Sequence, residues 1–379
     1  MMEGRRGYKK TKLGWIPEDW QVVKLSNIAE IKMGQSPDSN SYNDYGDGLH
    51  LIQGNADIKG RVSFPKIWTS APTKICDIDD ILMTVRAPVG AVAKSKHRAC
   101  IGRGICAIRP EKIEEEFLFQ ILISHETKWK NIEQGSTFTA VGSNDVKNLK
   151  IATPTEKNEQ RQIAAILSTV DEKIAAIDEQ IAETEHLKKG LMQQLLTKGI
   201  GHSEFKETKI GKIPKDWEVV RLGEIFTLKS GNFLPKKNIE DGFYPVYGGN
   251  GITNYHNKYI FDTWKIVIGR VGAKCGCIHI TEKYSWITDN ALYIDKEFRD
   301  FNFIFIFYLL KNANLNSYAN KNAQPVISNE KIYSILKALP PIHEQEKIAA
   351  ILSTVDEKLE VLREKKEEYR VLKKGLMQQ

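Results

Sequence analysis

Long apolar runs are missing from this sequence: the longest, such as Phe303–Leu310, are far too short to cross a bilayer. The basic start, Met1 to Lys12, is followed by no apolar stretch, so neither a secretion signal nor an oxidising compartment is indicated and a cytoplasmic protein is expected. Cysteine is scarce: 5 residues with no C-x-x-C pair fit neither a disulfide framework nor a zinc module, and Cys275 and Cys277 read as small buried side chains. The 8 histidines show no ligand spacing, and no metal is expected. No G-x-x-x-x-G-K-[ST] loop is present, which disfavours a nucleotide-driven motor on this chain. A loop that holds a flipped adenine, [DNS]-P-P-[YFW], is also missing, since Leu339-Pro-Pro-Ile342 fails at both flanks. Asp77, Asp79 and Asp80 could be read as an acid/base or metal-binding cluster, hence as a nuclease centre, but acids ahead of a strand more often form a solvated turn.

Charge is present in both signs, with Lys+Arg at 55 against Asp+Glu at 48. The surplus of +7 is unevenly placed: +4 over residues 1–152, −2 over 153–200, +5 over 201–340 and none over 341–379. Two basic lobes on a neutral support are implied, a distribution suited to a polyanion.

The chain also repeats itself. Gly14, Ile16, Pro17, Asp19, Trp20, Val22, Val23 and Leu25 recur 197 residues on as Gly211, Ile213, Pro214, Asp216, Trp217, Val219, Val220 and Leu222. Ile163–Lys173 recurs as Ile348–Lys358, and Leu187–Gln194 as Leu372–Gln379, both at an offset of 185. Identity sits in these segments, whereas residues 35–150 and 232–335 share little beyond Arg86 with Gly90 against Arg270 with Gly272. A scaffold that meets one kind of partner twice while its heads contact different things has this pattern; drift after duplication gives it too.

Ile163, Leu167, Val170, Ile174, Ile177, Ile181 and Thr184 step by 4 and 3, a coiled-coil seam, and Ile348, Leu352, Val355, Leu359, Leu362 and Tyr369 repeat it. After Thr184 the stripe shifts to Leu187, Leu191 and Leu195, turning toward the globular part or another subunit. Pro154 and Pro340-Pro341 sit just ahead of the helices, and neither helix contains a proline. About 40 residues at ~1.5 Å each make a rod on the order of 60 Å long. Chain order then predicts head, rod, short link (197–204), second head and second rod. The second rod buries its seam by running back along the first, so an antiparallel pair with heads at opposite ends and a pseudo-twofold axis is expected.

The expected fold class is α+β, with two mixed heads joined by two long helices in an antiparallel coiled coil. The predicted divisions are 1–153, 154–199, 200–339 and 340–379. Ile81–Val85, Ile105–Ile108, Ile266–Ile268 and Ala291–Ile294 read as strands, and Glu114–Trp129 and Glu297–Leu315 as core helices.

Gly-rich polar loops interleaved with Arg, Lys, Asn, Gln and aromatics supply the residue types that reach phosphates and base edges. In the first head the candidates are Gln35, Ser36, Arg86, Lys94, Lys96, Arg98, Arg103, Ser136 and Thr137. In the second they are Lys229, Lys236, Lys237, Asn250, Arg270, Lys274, Asn290, Asn320 and Gln324. Arg86, Arg270, Asn250, Asn290 and Gln324 are the candidates for base-edge hydrogen bonds.

The repeated Ile-Pro-x-Asp-Trp openers, Tyr244-Pro-Val-Tyr-Gly-Gly-Asn-Gly251, Ile268-Gly-Arg-Val-Gly272, Trp286-Ile-Thr-Asp-Asn290 and the Glu-Gln…Ile-Ala-x-Ile-Leu helices resemble the specificity subunit of type I restriction-modification systems. The resemblance runs over essentially the whole chain. It implies a non-catalytic subunit with two target-recognition domains, each reading one half of a split double-stranded DNA target, and helical regions that dock two methyltransferase subunits and, with them, restriction subunits. S-adenosylmethionine, ATP and Mg would then belong to those partners, with no cofactor on this chain. Unlike heads imply unlike half-sites, and rod length would set the unread spacer, since a B-DNA turn is about 34 Å. The first head departs from the pattern in lacking a Tyr-Gly-Gly-Asn-Gly loop, and the second rod stops at Gln379 without the Leu-Leu-Thr-Lys-Gly that completes the first. The rival reading is a coiled-coil scaffold with two protein-binding heads.

Overall fold

The computed structural model describes residues 6–129, 140–320 and 325–377. The chain divides into two compact units, 1–176 with 367–379 and 177–366. Each long helix therefore contributes to both.

In the first unit, alternating apolar runs build two sheets. The first has six strands, ordered Ala29–Met33, Ile105–Pro110, Ile81–Thr84, Val92–Lys94, Val62–Ser63 and Ile58–Lys59. Ile81 pairs with Ile108 and Thr84 with Ile105, so Arg86 and Arg109 lie toward opposite ends of this sheet. The other has five strands, Ile75–Cys76, Ala99–Ile101, Leu49–Ile52, Ile67–Thr69 and Tyr42–Asn43. Helix α1, Glu115–Ser124, lays Phe117, Leu118 and Leu122 against Ile81, Met83 and Ile108. A short helix α2, Ser143–Lys147, precedes the strand Lys150–Pro154.

Helix α3, Lys157–Lys198, links the units. The second unit carries a four-stranded sheet of Phe226–Ser230, Ala291–Glu297, Ile266–Gly269 and Ile278–Ile280. A three-stranded sheet of Gly251–His256, Tyr244–Gly248 and Trp286–Ile287 accompanies it. Helix α4, Phe303–Lys311, packs Phe305, Leu309 and Leu310 in one core with Ile266, Ile268 and Leu292. Helices α5, Asn329–Tyr333, and α6, Ile342–Leu376, follow.

The four expected strands form; the first expected core helix reaches 129 with one interruption, whereas the second is shorter than its apolar pattern. α1 is capped at His125, and residues 126–129 are again helical, with the Trp129 amide donating to the His125 carbonyl oxygen at 3.2 Å. Glu297 pairs with Phe226 as the end of a strand, and α4 starts only after Asn302, whose side chain accepts from the Phe305 amide at 2.9 Å. Residues 315–318 form a separate 3-10 turn. Cys275 is buried as expected, whereas Cys277 is half-buried.

The repeated motifs are explained by one hydrogen-bond pattern used once in each unit. The Trp20 indole donates to Glu159 at 3.0 Å, and the Trp217 indole donates to Glu344 at 2.8 Å. The neighbouring Gln160 and Gln345 donate to the carbonyl oxygens of Pro154 and Pro340 at 2.9 and 2.8 Å. They also accept from the amides of Glu114 and Asn302, both at 2.9 Å. The Asp-Trp opener and the Glu-Gln helix start thus form one latch fastening a head to its helix.

Of the predicted seam, Leu167, Val170 and Ile177 are buried and Ile163, Ile174 and Ile181 half-buried; Ile348, Leu352, Leu359 and Leu362 are buried and Val355 half-buried. Ile163 also packs on the core of the first head, and Ile348 and Leu352 belong to that of the second. Leu191 and Leu195 turn into the second head's core as the shifted stripe suggested, but Leu187 stays exposed. Within the second unit, Asp178 pairs with Lys366, Glu185 with Arg363 and Lys188 with Asp356. Numbers rising along α3 meet numbers falling along α6, so these segments run antiparallel.

Asp356 is a shared acceptor: it takes the Lys188 ammonium and the Tyr308 hydroxyl, the latter at 2.7 Å. Burial, with the Asp356 carboxylate beside it, pushes the Tyr308 phenol up, so it remains a donor. The residues at the same repeat positions meet in the first unit, where Asp171 accepts from Lys373 at 2.6 Å and from Gln120 at 2.8 Å. Asp356→Ala leaves two donors unmatched and is expected to cost about 1–3 kcal/mol by denaturant titration. A loss under about 0.5 kcal/mol, the range of an ordinary surface change, would contradict this role.

Candidate nucleic-acid interface

In the second unit three loops meet because glycine lets their backbones touch. A Cβ on Gly269 would fall 2.0 Å from the Gly249 carbonyl oxygen, and Gly251 turns the Tyr244–Gly248 strand back at φ +91°. The Arg270 amide donates to the Asn290 carbonyl oxygen at 2.9 Å and the Thr288 amide to that of Tyr247 at 2.8 Å. Through these ties Lys236, Asn250, Lys274 and Asn290 line a single groove of about 570 Å³, together with Val246, Thr253 and Asn254.

The remaining candidates of this head spread around it. Arg270 is exposed between Gly269 and the groove-lining Val271, and Lys237 is exposed beside Lys236 in one 3-10 turn. Lys229 is exposed on the strand paired with Tyr293. Asn320 lines a separate concavity of about 640 Å³ with Ser317, Tyr318 and Lys331. Gln324 lies outside the described residues. Asn254 was missed as a site residue, and Thr288, expected there only as part of the Thr288-Asp-Asn290 loop, is buried, its hydroxyl without a hydrogen-bond partner among the described residues. Asn254 carries no signal beyond its place in a polar strand.

The first unit gathers its own set at one end of its sheets. The Gln35 amide donates to Ile101, the Arg103 amide to the Ser36 hydroxyl at 3.2 Å, and the Val85 amide, just before Arg86, to Gly104 at 2.9 Å. A Cβ on Gly104 would fall 2.3 Å from the Gln53 carbonyl oxygen, which brings Gln53 into the same cluster. Gln35, Gln53, Arg86 and Arg103 are all exposed there. Gln53 was overlooked, although its Gln-Gly pair resembles the Gly-Gln of residues 34–35. Ser136 and Thr137 lie outside the described residues.

Lys94 and Arg98 do not join this cluster. Lys94 braces α1 through Glu115 and Glu116, both at 2.7 Å. Burial pulls its ammonium down, but the hydrogen bonds and charges of Glu115 and Glu116 outweigh that and hold it above the usual lysine range. Arg98 is 3.5 Å from Asp77. Asp79 is exposed in a turn at 78–79, as a solvated turn requires, but Asp80 is buried and binds Arg109 at 2.7 and 2.8 Å, with Asp77 a second partner. The charges of Asp77 and Asp80 are spent on that clamp. Lys96 is exposed, its amide held by Ser63 at 2.8 Å. Among the described residues no group of three or more His, Cys, Asp or Glu could hold a metal ion, and no helix is long and apolar enough to cross a membrane.

Two polar clusters, each gathered on glycine-crossed strand ends, suit nucleic-acid edges and phosphates. Comparison with known proteins points the same way. Similar chains include the provisionally named type I restriction enzyme MjaX specificity subunit of Methanocaldococcus jannaschii, 38% identical over 196 residues, which are 51% of this chain and 46% of that one. The type I restriction enzyme MjaVIII specificity subunit of the same organism is 27% identical over 96% of this chain and 92% of its own length. The EcoprrI specificity subunit of Escherichia coli is 26% identical over 90% and 87%. The chain thus spans about half of the first relative and most of the other two. In fold it matches the crystal structure of a type I restriction-modification S subunit from M. genitalium, with a TM-score of 0.65 and 19% identity over 94% of this chain and 95% of that one. It also matches a chain from a type I R-M system studied for complex assembly and conformational transition, with a TM-score of 0.58 and 20% identity over 96% and 97%. The family model described as type I restriction modification DNA specificity domain matches twice, at residues 17–186 and 214–369, and the chain belongs to that family.

Proposed function

We propose that this chain is the sequence-reading subunit of a type I restriction-modification complex and performs no chemistry itself. Each head reads one half of a split, asymmetric target in double-stranded DNA. The chain positions two methyltransferase subunits and, with them, restriction subunits, in the cytoplasm. S-adenosylmethionine, ATP and Mg are bound by those partners.

The observation that carries this reading is the groove joining Lys236, Asn250, Lys274 and Asn290, which places cations for phosphate beside amides for base edges. The first head offers Gln35, Gln53, Arg86 and Arg103 in its place. Because the two sets differ, the half-sites differ.

Binding to a duplex carrying the target, measured at graded salt, tests it. Affinity should fall steeply with salt, each lost phosphate contact lowering the slope by about 0.9. Arg86→Ala should weaken binding by about 1–3 kcal/mol if it holds a base edge. Lys94→Ala should leave affinity unchanged, because that lysine is engaged with Glu115 and Glu116. Salt-independent retention, or an equal loss for both variants, would contradict the reading and favour a protein-binding scaffold.

A further inference from the structure

At the other end of the first unit's six-stranded sheet, a hairpin of Tyr8–Thr11 and Gly14–Pro17 meets the ribbon of Trp20–Lys24 with Lys150–Pro154. Between them lies a groove of about 630 Å³ lined by Lys9, Lys12, Lys24 and Lys150 with Thr11, Gln21 and Asn27, and by no carboxylate. Lys9 donates to the Glu18 carbonyl oxygen at 2.6 Å, and none of the four lysines is in an ion pair with a described residue. Like charges gathered without a counter-ion oppose one another, an arrangement that is relieved by an anionic ligand.

The duplication supplies an internal control. The second unit repeats the hairpin, Phe205–Thr208 with Gly211–Pro214, and the ribbon, Glu218–Arg221 with Leu336–Leu339. Lys24 faces Lys150 across the first ribbon, but Arg221 faces Leu336 across the second. Gln21 and Asn27 become Glu218 and Glu224, which pair with Arg299 at 2.8 Å and Arg221 at 3.8 Å. Lys9, Lys12 and Lys24 keep their charge as Lys206, Lys209 and Arg221, but Leu336 stands for Lys150 and two carboxylates join the set, so the same backbone forms with much less uncompensated charge.

Position and lining decide what kind of anion fits. The strand Ala29–Met33 separates Asn27 from the reading loop at Gly34–Ser36, and five residues at about 3.3 Å each put them roughly 17 Å apart. The groove therefore does not share the DNA-facing end of the head. Its lining includes Ile16, Val22 and Val23, and aliphatic side chains favour a peptide over a phosphodiester. We propose that this groove docks an acidic segment of a partner protein, and that the first unit alone makes this contact.

The full-length chain is titrated with a fluorescent peptide of alternating Glu and Leu, read by anisotropy at low salt. Lys24→Glu with Lys150→Glu leaves the groove no net charge and should weaken binding by about tenfold or more, like charges facing across an interface being strongly disfavoured. Lys209→Glu with Arg221→Glu, at the second-unit positions that correspond to Lys12 and Lys24, should leave it unchanged. Target-DNA affinity should stay the same in both. Absence of peptide binding, equal weakening by the two variants, or a matching loss of DNA affinity in the Lys24/Lys150 variant would each overturn the proposal, the last by making the groove a nucleic-acid site.

Discussion

Trp217→Ala lowers the stability of the second unit by about 3–5 kcal/mol, the usual cost of removing a buried tryptophan from a packed core. Trp217 is wholly buried with Leu195, Leu196, Ile213 and Ile348. Its surroundings leave little room to collapse: a Cβ placed on Gly199 would lie 2.8 Å from the indole and 2.4 Å from Glu344. The buried Glu344 also accepts from the Ile200 amide and His202, both at 2.9 Å, so losing the indole disturbs an acceptor that anchors the α3–hairpin link. Trp20→Ala removes the same latch from the first unit at lower cost, because Trp20 is half-buried and meets Phe117 edge-on at 6.4 Å. Denaturant unfolding of the two variants side by side gives the comparison. Equal losses, or a loss below about 1 kcal/mol for Trp217→Ala, would show that the latch does not hold the head.

Exchanging residues 232–335 for the same segment of another family member is expected to lower affinity for the original target by about 10³-fold or more, the gap between specific and non-specific binding. The exchanged piece carries every groove residue of the second head, including Lys236, Asn250, Lys274 and Asn290. Its ends fall beside the strands Phe226–Ser230 and Leu336–Leu339, so the Trp217–Glu344 latch and the ribbon of Glu218–Arg221 with Leu336–Leu339 stay as they were. Affinity should return on a duplex whose second half matches the incoming head, with the first half untouched. Each mismatched base pair left in that half should cost about 1–3 kcal/mol.

Much of this architecture was legible before any coordinates. The seam from Ile163 to Ile181 and its copy from Ile348 to Leu362 follow a short-range period, and local periods survive in sequence whatever the rest of the chain does. The strand cores at Ile81, Ile105 and Ile266 were visible for the same reason. What the repeated Asp-Trp and Glu-Gln motifs do was not, because their partners lie 139 and 127 residues apart. Lys94 and Arg86 look alike as basic residues beside neighbouring strands; only the register that sets Lys94 opposite Ile81, while Arg86 follows Thr84, sends them to different ends of the sheet. The over-long second helix has a related cause. Apolar spacing continued back to Glu297, while a strand pairing there kept the helix from starting before Asn302. Asn250, Lys274 and Asn290 could be proposed one by one, but their convergence depends on the Gly269–Gly249 crossing, which leaves no trace in composition.

The most direct test is to map methylated adenines in genomic DNA modified by the original chain, and then by the chain exchanged over 232–335, each with its methyltransferase subunits. Two independent readers predict a split target with unlike halves, and a second target that keeps one of those halves and replaces the other. A palindromic or continuous target, or a change in both halves after the exchange, would contradict it.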